Sequence, residues 1–247
     1  MIVYDATGIV PESVRAELGM VESPCPPTGS LPPEGWTGLW WYDRESSPTC
    51  PLTVCHYGAA WVQPGMEQVR EEAKGLAAHR PGSRLGWISD VFNASQGFEG
   101  YEALELAGNA ADRATRAMMN ANRLPEVFSR FGLYGYVNPE MPASKYKSRL
   151  DKAVRSALWM TLRPVVFVTP WVVEAVPDHA GENVHEAYHR IAVGVARDHG
   201  ADLCVWSHWG PEGLRKAATG DYSGSKATLD ELRATDLWRV LLELPRG

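Results

Sequence analysis

The sequence predicts a parallel β/α barrel of about seven strands, TIM-barrel-like, with an irregular N-terminal segment. Three observations carry this. From residue 64 onward, segments of strand character alternate with segments of helical period. Helical crossovers return the chain to the same edge and so make the strands parallel. Pro164-Val165-Val166-Phe167-Val168-Thr169-Pro170 is apolar on both faces, as a strand covered by helices on one side and a core on the other must be. No Gly-x-Gly-x-x-Gly turn or Gly-x-x-x-x-Gly-Lys loop follows any strand, which removes the nucleotide-binding open sheet and, with it, any expectation of a cofactor. At 247 residues the chain suits one domain, 1–247, with 1–63 loop-rich and 64–247 built of regular βα units.

In chain order, Ile2 to Asp5 reads as a short strand, and Val10 to Leu18 as a helix entered through Pro11. A Pro-rich loop spans Ser23 to Gly35. Gly38 to Asp43 is the second strand and Leu52 to Tyr57 a weaker third. Pro64 to Ala78 starts on a first-turn Pro and sets Met66, Val69, Ala73 and Leu76 on one face. Arg84 to Phe92 is a strand, Tyr101 to Ala121 an Ala-rich helix, and Phe131 to Val137 a strand. The helix from Ala143 to Met160 is expected to bury Tyr146, Leu150, Val154, Ala157 and Leu158. The helix from Asn183 to His199 carries Val184, Tyr188, Ile191 and Val195 and stops at Gly200. Ala201 to Ser207 is the last strand, and Thr228-Leu229-Asp230-Glu231 is a capping box for a final helix ending near Leu244.

Composition narrows the function classes. A net charge of −6 argues against a general nucleic-acid binder, whose affinity rests on neutralising phosphates with Lys and Arg. No basic n-region followed by an apolar run opens the chain, and no apolar stretch is long enough to span a bilayer, so a soluble protein without a membrane partner is expected. Cys25, Cys50, Cys55 and Cys204 contain no Cys-x-x-Cys pair. Thiols are expected, with a bridge from Cys25 to Cys50 or Cys55 as the alternative. Ten Trp and nine Tyr supply flat faces that either fill the core or line a ligand cleft.

In a β/α barrel the ligand site forms at the C-terminal strand ends. Those positions read Asp5, then Asp43 with Glu45, Tyr57, Asp90, Asn138 with Glu140, Thr169 with Trp171, and Trp206-Ser207-His208-Trp209. Carboxylates and aromatics therefore recur where a sugar-hydrolysing barrel needs them: two carboxyl groups across the scissile bond, and ring faces to hold the sugar. Asp90, Asp43 and Glu45 are the catalytic candidates, and Tyr134, Asn138, Trp171, Trp206 and Trp209 the candidates for holding a carbohydrate.

Residues 128–140, Phe-Ser-Arg-Phe-Gly-Leu-Tyr-Gly-Tyr-Val-Asn-Pro-Glu, resemble the Gly-hydrophobic-Tyr-Gly-hydrophobic-Pro strand of hyaluronidase-type glycosidases. Gly200-Ala201-Asp202-Leu203-Cys204-Val205-Trp206 is similar to that family's Gly-Ala-rich strand ending in Trp. The resemblance covers about residues 84–244 and implies a seven-stranded barrel acting on a polysaccharide. It departs at the acid. The family's Asp-x-Glu is replaced by Ser89-Asp90-Val91-Phe92, with no Glu two residues after Asp90, while Asp43-Arg44-Glu45 has that spacing on an earlier strand. Either the acid has moved, or the barrel has lost hydrolysis and serves as a binding or structural protein whose outer helices hold an assembly partner.

His185-Glu186-Ala187-Tyr188-His189 matches His-Glu-x-x-His, the spacing that binds zinc beside a general base. A zinc hydrolase is thus a further alternative. Arg190 directly after the second His opposes a cation, and both histidines are expected near solvent beside an apolar stripe, with no metal bound. No Gly-x-Ser-x-Gly elbow is present.

Overall fold

A computed structural model describes residues 1–25, 31–43, 59–79, 84–88, 123–158, 163–207 and 209–245. Among the described residues, seven parallel strands lie in one sheet in the order β2-β1-β7-β6-β5-β4-β3, which is the parallel β/α barrel class. The strands are β1 Val3–Asp5, β2 Met20–Glu22, β3 Leu39–Asp43, β4 Arg84–Ile88, β5 Phe128–Tyr134, β6 Arg163–Val168 and β7 Asp202–Val205. The helices are α1 Glu12–Leu18, α2 Ala59–His79, α3 Ala143–Leu158, α4 Glu186–Asp198, α5 Pro211–Ala217, α6 Leu229–Arg233 and α7 Asp236–Leu242. The chain packs as two compact units, one of Met1–Glu22, Gly135–Asp151 and Val166–Gly247, the other of Ser23–Tyr134 and Lys152–Val165.

In the first unit, β1 pairs with β2 and β7, with Tyr4 opposite Val21 and Cys204. All four residues of β7 are buried, as are Val166 to Val168 of β6, matching the apolar run that the sequence shows there. Helix α1 follows Pro11 and closes on Gly19 at φ 67°, a left-handed backbone that glycine adopts without strain. Tyr146 of α3 is fully buried and its hydroxyl donates to the Gly135 carbonyl at 2.8 Å. Burial pushes its phenol pKa well up, so the donor stays protonated. Gly135 is fixed by space: a Cβ there would meet the Phe167 carbonyl oxygen at 2.7 Å. Tyr146→Phe is expected to lower stability by about 1 kcal/mol in a denaturant titration, because the buried Gly135 carbonyl loses its side-chain donor.

In the second unit, β3, β4 and β5 form a parallel ladder, with a register shift between Leu85 and Gly86. Gly86 leaves room for the Trp41 indole, whose ring a Cβ would meet at 2.5 Å. Val69, Ala73 and Leu76 of α2 are buried on the expected face. The Tyr42 hydroxyl donates to Glu72 of that helix, and its ring stacks on Phe128. Just after β2, the Ser23 hydroxyl donates to the Leu39 carbonyl and the Trp41 N–H donates to the Pro24 carbonyl.

Several expectations change. The strand β2 has no counterpart in the sequence reading: three residues with an exposed Val21 and Glu22 carry no period. Helix α2 begins at Ala59, ahead of Pro64. The strand expected at 131–137 runs three residues earlier, at Phe128–Tyr134. Leu158 is exposed at the end of α3 rather than buried. On α4 the buried face is His189, Ala192, Val193, Val195 and Ala196, while Tyr188 and Ile191 are half-buried. The single final helix is two, since Thr235 caps a second start by accepting from the Trp238 N–H; the Thr228–Glu231 capping box is formed. Cys25 and Cys204 are buried thiols. The strand expected at Leu52 to Tyr57, the helix at Tyr101 to Ala121, and Cys50 and Cys55 lie outside the described residues.

Candidate functional site

The strand ends of the first unit bring together residues from four segments. Three backbone bonds carry the parallel ladder past the strands: Ala6 N–H to Val205 at 2.9 Å, Trp206 N–H to Val168 at 3.0 Å, and Gly135 N–H to Phe167 at 2.8 Å. Consequently Tyr136, Thr169, Trp206 and Thr7 emerge at one end of this part of the sheet. The rings of Tyr136 and Trp206 stack with centroids 5.8 Å apart and planes 19° from parallel, and both are half-buried. A stacked, partly exposed pair at a strand end is a platform on which a flat apolar sugar face can lie. In the loop that follows Tyr136, Asn138 is half-buried and its side-chain oxygen accepts the Glu140 N–H at 2.9 Å.

Asp5 is 1% exposed, and one of its oxygens accepts from the Thr7 N–H at 3.0 Å and hydroxyl at 2.6 Å. The other lies 3.5 Å from the Arg15 guanidinium, which also donates to Glu22 and to the Val10 carbonyl. This carboxylate is balanced by a cation and shapes the loop after β1.

The segment between β6 and α4 folds back on itself. Val172 N–H donates to Glu182, Gly181 N–H to Val172, and Val184 N–H to Pro170, with Trp171 bridged to Asn183. At its tip, His179 lies 3.1 Å from Glu182 and 3.7 Å from Glu140 of the β5 loop. The hydrogen bond to Glu182 leads in raising the His179 pKa, with the charge of both carboxylates adding to it.

The expected site residues separate. Trp206 is one ring of the stacked pair, and Asn138 follows Tyr136 by two residues in the same loop. Trp171 is 3% exposed and packs in a core cluster with Val10, Leu214, Leu232 and Trp238, so its ring is a wall and presents no free face. Trp209 packs against the same cluster, and its carbonyl accepts the Ser207 hydroxyl at 2.7 Å. Tyr134 and Asp43 are the last residues of β5 and β3 in the second unit, and Tyr134 is buried. Asp90 and Glu45 lie outside the described residues. Tyr136, the ring that stacks on Trp206, is not among the residues expected from the sequence, although it lies in the expected strand two residues after Tyr134.

The His-Glu-x-x-His residues are committed elsewhere. His185 is exposed and caps α4 by accepting the Ala187 N–H. Glu186 pairs with Arg190, which also pairs with Glu243. His189 is 2% exposed, which corrects the expectation that it lies near solvent. Its Nε2 has no hydrogen-bond partner. Burial dominates in pushing its pKa down to about 4, against the charge of Asp236 on α7. For Asp236 burial pushes up, but the Glu186 N–H, Asn183 and Arg239 together hold its carboxyl below the ordinary value. No group of three or more His, Cys, Asp and Glu side chains able to hold a metal occurs among the described residues.

The site and topology define a parallel β/α barrel with an aromatic platform at its strand ends. No protein-family model matches the chain, and no curated protein sequence does. Among solved structures the chain resembles bee venom hyaluronidase in its monoclinic crystal form, at 13% identity and a TM-score of 0.58, over 88% of this chain and 94% of that one. It also resembles bee venom hyaluronidase in complex with a hyaluronic acid tetramer, at 12% identity and a TM-score of 0.54, over 90% of this chain and 94% of that one. At such identities the likeness is one of fold.

Proposed function

We propose that this protein is a carbohydrate-active barrel of glycoside hydrolase type that holds a polysaccharide on the Tyr136–Trp206 platform. The stacked, half-exposed ring pair at the strand ends carries the reading. The fold it shares with a hyaluronidase solved with a bound hyaluronic acid tetramer supports it. Among the described residues no helix is long and apolar enough to cross a membrane. In this reading Asn138 supplies an amide beside the platform, and the catalytic carboxylates are drawn from Asp90, Asp43 and Glu45.

The test is calorimetric titration with a panel of oligosaccharides. Trp206→Ala and Tyr136→Ala are each expected to weaken glycan binding roughly tenfold or more, the cost of truncating an aromatic anchor. Circular dichroism checks that the variants fold. Unchanged affinity in both folded variants sinks the reading.

A further inference from the structure

At the strand ends of the first unit the Thr7 hydroxyl donates to Asp5 at 2.6 Å and the Ser207 hydroxyl to the Trp209 carbonyl at 2.7 Å. Thr169 differs. It is 5% exposed, and among the described residues its hydroxyl has no hydrogen-bond partner. Covering a hydroxyl without a partner costs free energy that a valine of the same shape avoids.

The backbone places Thr169 between the two rings. On one side of β6 the Phe167 carbonyl accepts the Gly135 N–H, and on the other the Val168 carbonyl accepts the Trp206 N–H. The end of β6 therefore runs between the segments that carry Tyr136 and Trp206, with Thr169 opposite Trp206 in the ladder. Thr169 precedes Pro170, a position that favours extended backbone, so side chains keep alternating past Val168. A Cβ on Gly135 would meet Val166 Cγ1 at 2.9 Å and the Tyr146 hydroxyl of α3 at 3.5 Å. Gly135 and Val166 thus face the helix layer, and Tyr136 and Thr169, one and three residues further on, face away from it. Neighbouring strands lie about 4.8 Å apart, which sets the segments on either side of β6 about 10 Å apart. The ring centroids are only 5.8 Å apart, so the rings lean towards each other over the line of Thr169.

We infer that Thr169 is a binding residue of the platform, and that its hydroxyl meets a hydroxyl of the sugar seated at the Tyr136–Trp206 pair. The inference rests on the glycan reading proposed above. The ring faces hold a sugar by its apolar side and fix no orientation about the ring normal. A hydroxyl both donates and accepts, as a sugar hydroxyl does, so one such group beside the rings selects an orientation. The free energy of covering the Thr169 hydroxyl is recovered only when the ligand supplies its partner.

The test is calorimetric titration of N-acetylglucosamine and hyaluronan hexasaccharides into wild type, Thr169→Val and Thr169→Ser, with thermal unfolding followed in parallel. Valine keeps the shape and removes the hydroxyl, whereas serine keeps the hydroxyl. For whichever hexasaccharide the wild type binds, Thr169→Val is expected to weaken binding about three- to tenfold, the worth of one neutral hydrogen bond. Its Tm is expected to hold or rise, because no internal hydrogen bond is lost. Thr169→Ser is expected to bind as the wild type does. Thr169→Ala, also without a hydroxyl, repeats the comparison should the valine variant fold poorly. Wild-type affinity in Thr169→Val, where Trp206→Ala still loses affinity, overturns the inference and leaves the platform reading intact. Equal losses in the valine and serine variants overturn it too, since packing and not the hydroxyl is then at work. A lower Tm in Thr169→Val reveals an internal partner for the hydroxyl and has the same force. Absence of binding to both hexasaccharides overturns the platform reading, and the inference with it.

Discussion

Lowering the pH from 6.5 to 4 is expected to remove about 3 kcal/mol of stability through His189 alone. The side chain is 2% exposed on α4, which packs on α7, and its Nε2 has no hydrogen-bond partner to welcome a proton. Its folded-state pKa is pushed down to about 4, whereas the unfolded chain binds the proton near the ordinary histidine value of about 6.5. Between these values the unfolded state takes up a proton that the folded state refuses. The contribution is therefore fully present above about pH 6.5, falls as the pH drops, and is gone below about 4. The facing charges do not cancel it: Asp236 attracts the proton, but its carboxylate is already held by the Glu186 N–H, Asn183 and Arg239, and His185 repels it. Urea titrations of wild type and His189→Leu at a series of pH values are the check. The variant's curve is expected to lack the His189 component between pH 4 and 6.5, and parallel curves contradict the account.

Asp90→Asn is expected to lower the rate on any glycan the protein cleaves by about 10²–10⁴-fold, the usual loss when a general acid or base is removed. The assignment comes from the sequence alone: Asp90 follows the β4 segment at the place where the resembled glycosidases carry their acid-bearing motif. Asn keeps the shape and removes the proton-transfer capacity. The measurement is turnover on an oligosaccharide panel with folding checked in parallel. Retained activity excludes Asp90 and turns attention to Asp43 and Glu45. Absence of cleavage by the wild type supports a barrel that binds without cutting.

The features legible in the sequence are those with long-range redundancy. A strand covered on both faces must be apolar throughout, so β6 stands out in the chain, and a Gly at the left-handed position after α4 marks that helix's end, with Gly200 at φ 65°. Features set by a single contact were not. The end of β5 is set where Gly135 meets the Phe167 carbonyl, three residues before the end expected from the pattern, and that contact leaves no periodic trace in the sequence. On α4 the pattern favoured Tyr188 and Ile191, yet the buried face runs through His189, Ala192 and Ala196. Alanines weigh little in a hydrophobic pattern but let a helix approach closely, and the Tyr188 hydroxyl reaches out to the Met141 carbonyl. Trp171 sits at a strand end as expected, but burial, which position alone does not reveal, makes it core.

A crystal structure with a bound oligosaccharide tests the central claim most directly. The account predicts a sugar ring lying flat against the Tyr136–Trp206 pair, with Asn138 in hydrogen-bonding reach of its hydroxyls. A glycan bound away from both rings, with their exposed faces uncovered at saturation, contradicts it.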